Sequence, residues 1–225
     1  MLLWFLAAGC GRSSGGTADA GRRTADSTAP AATVAHDADA RPIVLFLGTS
    51  LTAGLGVDPD SAYPAVSQRR LDSLGLRWHV VNGGVSGETS AGLVRRLSWQ
   101  LEGPVRVALI ETGANDGLRG LDVDSTRANL EAVIARLRAY DSTMRIVLVG
   151  MEAPPNMGPL FTARFRAMYP ELARKGHLPL VPFLLAGVGG IDSLNQADGI
   201  HPTPAGHRIV AANVWRVLEP VLKAR

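Results

Sequence analysis

From Pro42 onward, short apolar runs alternate with longer stretches in which apolar residues recur every three or four positions. Continuous apolar runs are typical of strands covered on both faces, and they occur at Ile43–Leu47, Trp78–Val81, Val105–Ile110, Ile146–Val149 and Leu180–Leu184. The longer spacing predicts amphipathic helices at Ala62–Leu74, Ser90–Leu101, Asp124–Ala139, Phe161–Lys175 and Thr203–Leu222. Alternating strands and helices indicate βαβ units, so we predict a three-layer α/β domain with a five-stranded, mostly parallel sheet.

The chain begins with a short apolar segment, Met1–Gly9, that ends at Cys10. This segment resembles the end of a secretory signal, and Ala-Ala-Gly-Cys resembles a bacterial lipobox, in which the cysteine is lipidated. Nine apolar residues are too few to span a bilayer, which takes about 20. We therefore expect residues 1–10 to be a leader, and the protein to be exported, periplasmic and membrane-anchored through Cys10. An ordinary cleaved signal is the alternative.

Residues 11–41 are rich in Gly, Ser, Thr, Ala and Asp and contain almost no large apolar side chains. Such a stretch cannot bury enough surface to offset its ordering entropy. We predict a flexible tether there, followed by one folded domain over residues 42–225.

Composition narrows the functional classes. The net charge is +3, the basic residues are scattered, and no Lys/Arg block is interleaved with aromatic residues, so we expect no nucleic-acid partner. Cys10 is the only cysteine, so the fold cannot depend on an internal disulfide. The sequence has no CxxC or HExxH pattern, and we expect neither a metal site nor a cofactor.

Polar and glycine-rich segments follow four of the predicted strands. They are Gly48–Leu51, Asn82–Thr89, Gly113–Gly117 and Asp198–Pro202. Ligands of open parallel sheets bind beyond the carboxyl ends of the strands. These four segments are therefore expected to meet at one edge of the sheet and to carry the chemistry.

Ser50, His201 and Asp198 suit nucleophilic catalysis. Ser50 lies at a strand-to-helix turn, where its hydroxyl is accessible, although a helix N-cap is the alternative role. A hydroxyl nucleophile needs a base such as His201, and Asp198, three residues earlier, can orient that base. An Asx-type turn with a structural histidine is the alternative there. We expect a solvated or capping role for His207.

Attack on an ester creates an oxyanion that needs hydrogen-bond donors. The N–H groups of Ser50 and Gly87 and the side-chain amide of Asn115 are the candidates. A plain turn is the alternative for Gly113–Gly117. A phosphate cradle is the alternative for Asn82–Thr89, although the segment lacks both GxGxxG spacing and a P-loop lysine.

The blocks GTSLTAG, NGGVSGET, GANDG and DGIHP together resemble the SGNH (GDSL-type) hydrolases, from Pro42 to about Val221. The resemblance is closest to their bacterial periplasmic acyl-thioesterase, arylesterase and lysophospholipase branch. It implies a flavodoxin-like sheet, a cofactor-free triad of Ser50, Asp198 and His201, and an oxyanion hole completed by Gly87 and Asn115.

Further expectations follow from the same resemblance. The loop that carries Leu118 and Leu121 would cover the acyl chain of the substrate. Asn82 and Asp116 would brace loops rather than take part in the chemistry. Thr49 stands where the family usually has Asp, which predicts a different bracing of the nucleophile turn.

We therefore expect a monomeric serine esterase that hydrolyses short- to medium-chain acyl esters, including aryl esters, thioesters or lysophospholipids. A carbohydrate O-acetylesterase on the same scaffold is the first alternative. A non-catalytic lipoprotein that binds a lipid or glycan is the second.

Overall fold

A computed structural model describes residues 41–224 of the chain. The predicted leader, residues 1–10, and the predicted tether, apart from Arg41, lie outside the described residues.

The domain is built on a five-stranded parallel sheet with the strand order β2-β1-β3-β4-β5. The strands are β1 (Ile43–Gly48), β2 (His79–Gly84), β3 (Val105–Ile110), β4 (Arg145–Val149) and β5 (Leu180–Val181). The chain moves to one side of β1 to form β2 and to the other side to form β3. This reversal opens a crevice at the carboxyl ends of β1 and β3, where ligands of such sheets bind.

Helices cover both faces of the sheet. They are α1 (Ser50–Ala53), α2 (Tyr63–Ser73), α3 (Ser90–Gln100), α4 (Ala114–Leu118), α5 (Val123–Tyr140), α6 (Pro159–Gly176) and α7 (Pro204–Lys223). Helix α5 packs against α3 and α6, and α2 packs against α7. The predicted three-layer α/β architecture is confirmed.

The central strands are apolar throughout because helices bury both of their faces. Phe46 of β1, Leu109 of β3 and Val147 of β4 have no exposed surface. Strand β2 lies at an edge and is partly exposed. Burial is therefore greatest in the central strands β1, β3 and β4, and two of these, β1 and β3, flank the crevice.

The strand boundaries differ from the prediction at both sheet edges. The predicted fifth strand, Leu180–Leu184, ends at Val181, because Pro182 has no N–H to donate to the neighbouring strand. Strand β2 continues to Gly84 instead of ending at Val81, since Asn82–Gly84 pair with the last residues of β1. Most of the Gly113–Gly117 segment, for which a plain turn was the alternative, belongs to helix α4.

Candidate active site

Three of the predicted site residues form one hydrogen-bonded chain. Ser50 is the first residue of α1, directly after β1, while Asp198 and His201 lie in the loop that precedes α7. His201 Nε2 is 2.8 Å from Ser50 Oγ, and His201 Nδ1 is 2.6 Å from Asp198 Oδ2. When Nδ1 carries the ring proton, it donates a hydrogen bond to Asp198, and Nε2 is free to accept a hydrogen bond from the Ser50 hydroxyl.

The Asp198 carboxylate forms the local turn and contacts the imidazole at the same time. Its Oδ1 accepts the backbone N–H groups of Ile200 and His201, at 2.9 Å and 3.0 Å, while Oδ2 contacts the His201 ring. The hydrogen bonds from the His201 backbone and ring, followed by that from Ile200, lower the pKa of Asp198 to about 2. The carboxylate therefore stays ionised beside His201, and the Asx-type turn is part of the arrangement.

Ser50 is not a helix cap. The N-cap of α1 is Thr49, and no side chain caps this helix. The Ser50 side chain instead contacts His201, and the residue is 8% exposed. The N-cap interpretation is therefore wrong for Ser50.

The three oxyanion candidates lie in three segments: Ser50 begins α1, Gly87 is in the loop between β2 and α3, and Asn115 is in α4. Within residues 41–224, no backbone hydrogen bond has the amide of Ser50 or Gly87 as its donor. The Asn115 side-chain amide donates one N–H to the Glu88 carbonyl at 2.9 Å. This bond holds the amide in place and leaves its second N–H available, because an asparagine amide carries two.

Asn82 and Asp116 form the bracing contacts expected of them. Asn82 Nδ2 donates to the Thr52 carbonyl at 2.9 Å, which joins the end of β2 to helix α1. The buried Asp116 carboxylate accepts the backbone N–H of Ser90 at 2.8 Å and its hydroxyl at 2.5 Å. These contacts fix the loop that carries Gly87 and the short helix α4 that carries Asn115.

Leu118, the last residue of α4, is 43% exposed, and Leu121, in the loop after that helix, is 40% exposed. Gly120, between them, has a φ of +61° and packs so closely that a Cβ there would approach Met157 Cε at 2.7 Å. The loop therefore lies against the 3₁₀ turn Pro155–Met157. Leu160, just beyond this turn, is 74% exposed.

Glu111, which none of the four sequence motifs includes, is completely buried directly after β3. Burial raises the pKa of its carboxyl to about 7, although hydrogen bonds from Thr49 and Thr52 act in the opposite direction. The sequence did offer one indication of this residue, a single acidic residue directly after an apolar strand. Acidic residues are almost never fully buried unless they are paired, so one at this position is a candidate for a specific role.

His207 is buried rather than solvated, with 1% of its surface exposed. Its Nδ1 accepts the backbone N–H of Tyr63, the first residue of α2, at 3.3 Å. The predicted solvated role is therefore wrong, and the ring instead accepts the first N–H of α2. Burial, followed by the charge of His201, lowers its pKa to about 4, so the ring is neutral at physiological pH.

The described part of the chain contains neither a candidate metal cluster nor a candidate membrane-spanning helix. Across residues 41–224, no three His, Cys, Asp or Glu side chains are grouped so that they could hold a metal ion. Over the same range, no helix combines the length and apolar character needed to cross a membrane.

Comparison with known proteins agrees with the four-block resemblance. Residues 46–209 match the model of the GDSL-like lipase/acylhydrolase family. The chain is 39% identical to esterase TesA of Pseudomonas aeruginosa over 80% of this chain and 89% of that protein. It is 32% identical to thioesterase 1/protease 1/lysophospholipase L1 of Escherichia coli K12, over 82% and 87% of the two chains.

A crystal structure of TesA superposes with a TM-score of 0.76 and 39% identity, covering 80% of this chain and 99% of that one. The sheet topology, the polar segments that follow its strands and the family match are consistent with one another. The chain belongs to the GDSL-like lipase/acylhydrolase family and is a serine ester hydrolase.

Proposed function

We propose that this enzyme hydrolyses short- to medium-chain acyl esters through an acyl-enzyme formed on Ser50. The observation that carries the proposal is the hydrogen-bonded chain from Asp198 through His201 to Ser50. A serine, a base and an orienting carboxylate in this order are the arrangement that activates a hydroxyl for acyl transfer.

We assign a role to each group on the basis of this geometry. His201 Nε2 takes the Ser50 proton as Oγ attacks the carbonyl carbon, and Asp198 stabilises the resulting imidazolium. The N–H groups of Ser50 and Gly87 and the Asn115 amide donate to the oxyanion of the tetrahedral intermediate. His201 then protonates the leaving alcohol or thiol. In the second half of the reaction, His201 takes a proton from water as the water attacks the acyl carbon. His201 then returns this proton to Ser50 Oγ, and the carboxylic acid is released.

The apolar surface around the loop after α4 supports an acyl substrate. Leu118 and Leu121 follow Asn115 closely in the chain and are exposed, and Gly120 packs beside Met157. We assign the acyl chain to this apolar surface. Relatives named esterase, arylesterase and thioesterase support aryl esters and thioesters as further substrates.

We further propose that the enzyme works as a monomer in the periplasm, anchored by a lipid on Cys10. The lipobox-like residues and the polar stretch 11–41 support this placement, because a tether would hold the domain away from the membrane. Cys10→Ser should move the activity from the membrane fraction to the soluble fraction. An unchanged distribution between the two fractions would contradict the anchor.

The test of the activity is hydrolysis of p-nitrophenyl esters from acetate to palmitate by the wild type and Ser50→Ala. Loss of the nucleophile should lower kcat by several orders of magnitude, up to roughly 10⁶-fold. Ser98→Ala, at an exposed serine on α3, is the matched control and should keep the wild-type rate.

The chain-length profile distinguishes the alternatives. A mid-chain optimum that disappears in Ser50→Ala supports the proposal. Activity on acetate alone would indicate a carbohydrate O-acetylesterase instead. Hydrolysis by Ser50→Ala at the wild-type rate would refute the mechanism, and inactivity of both proteins would indicate a binding protein.

A further inference from the structure

Glu111 lies directly beneath the turn that carries Ser50. Its backbone N–H donates to the Leu47 carbonyl at 2.8 Å, which places its side chain beside the end of β1. Gly48 allows this close approach, since a Cβ at that position would lie 2.6 Å from Glu111 Oε2. The carboxyl group therefore occupies the space that a side chain at position 48 would need.

The Glu111 carboxylate binds both sides of the nucleophile turn. Oε2 accepts the Thr49 backbone N–H at 2.8 Å and the Thr52 hydroxyl at 2.7 Å. Oε1 accepts the Thr49 hydroxyl at 2.9 Å. Ser50 lies between these two threonines, so its backbone is held from the residue before it and from the second residue after it.

The charge of Glu111 is stabilised by hydrogen bonds rather than by a cation. No lysine, arginine or histidine within residues 41–224 forms an ion pair with it. Hydrogen bonds to an ionised acceptor are about twice as strong as neutral ones. The hold on the turn is therefore strongest when Glu111 is ionised.

The charged and titratable side chains around this turn come from several elements. They are Tyr63 on α2, Glu88 before α3, Arg96 on α3, Asp116 on α4, Tyr169 on α6, His201 before α7 and His207 on α7. Burial raises the pKa of Tyr63 and of Tyr169, and the nearby Glu111 charge raises both further. Both phenols are neutral, so Glu111 is the buried group beneath Ser50 whose charge changes near neutral pH.

We propose that Glu111 is a positioning residue for catalysis, which in its ionised form holds the Thr49–Ser50 peptide so that the Ser50 hydroxyl meets His201 and the Ser50 N–H faces the oxyanion. Thr49 is its partner in this role. The inference rests on the proposed function, because it assigns Ser50 as the nucleophile. Small displacements of a reacting group cost large factors in rate.

The test compares kcat and KM of the wild type and Glu111→Gln from about pH 5.5 to about pH 9 on p-nitrophenyl butyrate. At the alkaline end, Glu111→Gln should lower kcat about ten-fold or more and change KM by less than about two-fold. The ratio of the two kcat values should shrink toward acid pH, because wild-type Glu111 becomes protonated there. Both proteins carry the same His201, so the ratio of their kcat values isolates the contribution of Glu111.

A constant ratio over the whole pH range, or an equal kcat at alkaline pH, would overturn the proposal. Thr49→Val and Thr49→Ser provide a second measurement if Glu111→Gln does not fold. The serine variant keeps the hydroxyl donor and should retain near wild-type kcat, whereas the valine variant should lose several-fold; equal rates would also overturn the proposal.

Ser50→Ala is measured in parallel. If that variant remains active, the proposed function fails. If it is inactive while Glu111→Gln matches the wild type at every pH, only the role of Glu111 is refuted.

Discussion

Replacing Glu111 by glutamine should change how the stability of the domain depends on pH. Glu111 is completely buried, and its pKa is raised from the ordinary value of 4.5 to about 7 by that burial. Between these two pH values, the folded protein keeps a proton that the unfolded chain releases. The free energy of unfolding therefore falls as the pH rises through this window. The glutamine side chain of the variant does not titrate, so this contribution is absent from it.

The size of the effect follows from the difference between the two pKa values. One pKa unit corresponds to about 1.4 kcal/mol, so the shift to about 7 corresponds to about 3 kcal/mol. The wild type should lose about 3 kcal/mol relative to Glu111→Gln between pH 4.5 and the alkaline side of pH 7. For a domain of this size, the Tm of the wild type relative to that of Glu111→Gln should fall by about 6–12 °C over this pH range.

Urea unfolding at a series of pH values measures this difference directly. Subtracting the two free energies removes the contributions of the other titrating groups, which both proteins share. Glu102→Gln, at an exposed glutamate after α3, is the matched control, and its difference from the wild type should stay within about 0.5 kcal/mol at every pH. A Glu111→Gln difference that is equally flat would refute the reasoning, because it would mean that burial does not hold a proton on Glu111.

Two further substitutions probe the loops that complete the site. Asn115→Ala should lower kcat by about 10²–10³ with little loss of fluorophosphonate labelling at Ser50, because it removes a proposed oxyanion donor and keeps the proposed nucleophile. An unchanged kcat would remove Asn115 from the proposed oxyanion hole. Gly113→Ala should lower the free energy of unfolding by about 2 kcal/mol or more, since its φ is +103° and a new Cβ would overlap the Tyr169 hydroxyl. Chemical denaturation checks the second expectation, and wild-type stability would contradict it.

Much of the fold could be predicted from local patterns. The runs at Val105–Ile110 and Ile146–Val149 are strands in the structure, to within a residue, because a fully buried strand needs apolar side chains on both faces. Edge positions were harder to predict. Strand β5 stops at Val181 because of Pro182, and β2 extends through Asn82–Gly84 because β1 offers partners there.

The sequence by itself determined where Ser50, Asp198 and His201 lie along the chain, since each belongs to a short motif after a strand. Only the tertiary structure decided that the His201 ring reaches Ser50, 151 residues away in sequence. The environments of Glu111 and His207 were likewise decided by packing. Their partners, Thr49 and Tyr63, are 62 and 144 residues distant in sequence, and burial, which local sequence does not encode, changes the pKa of both.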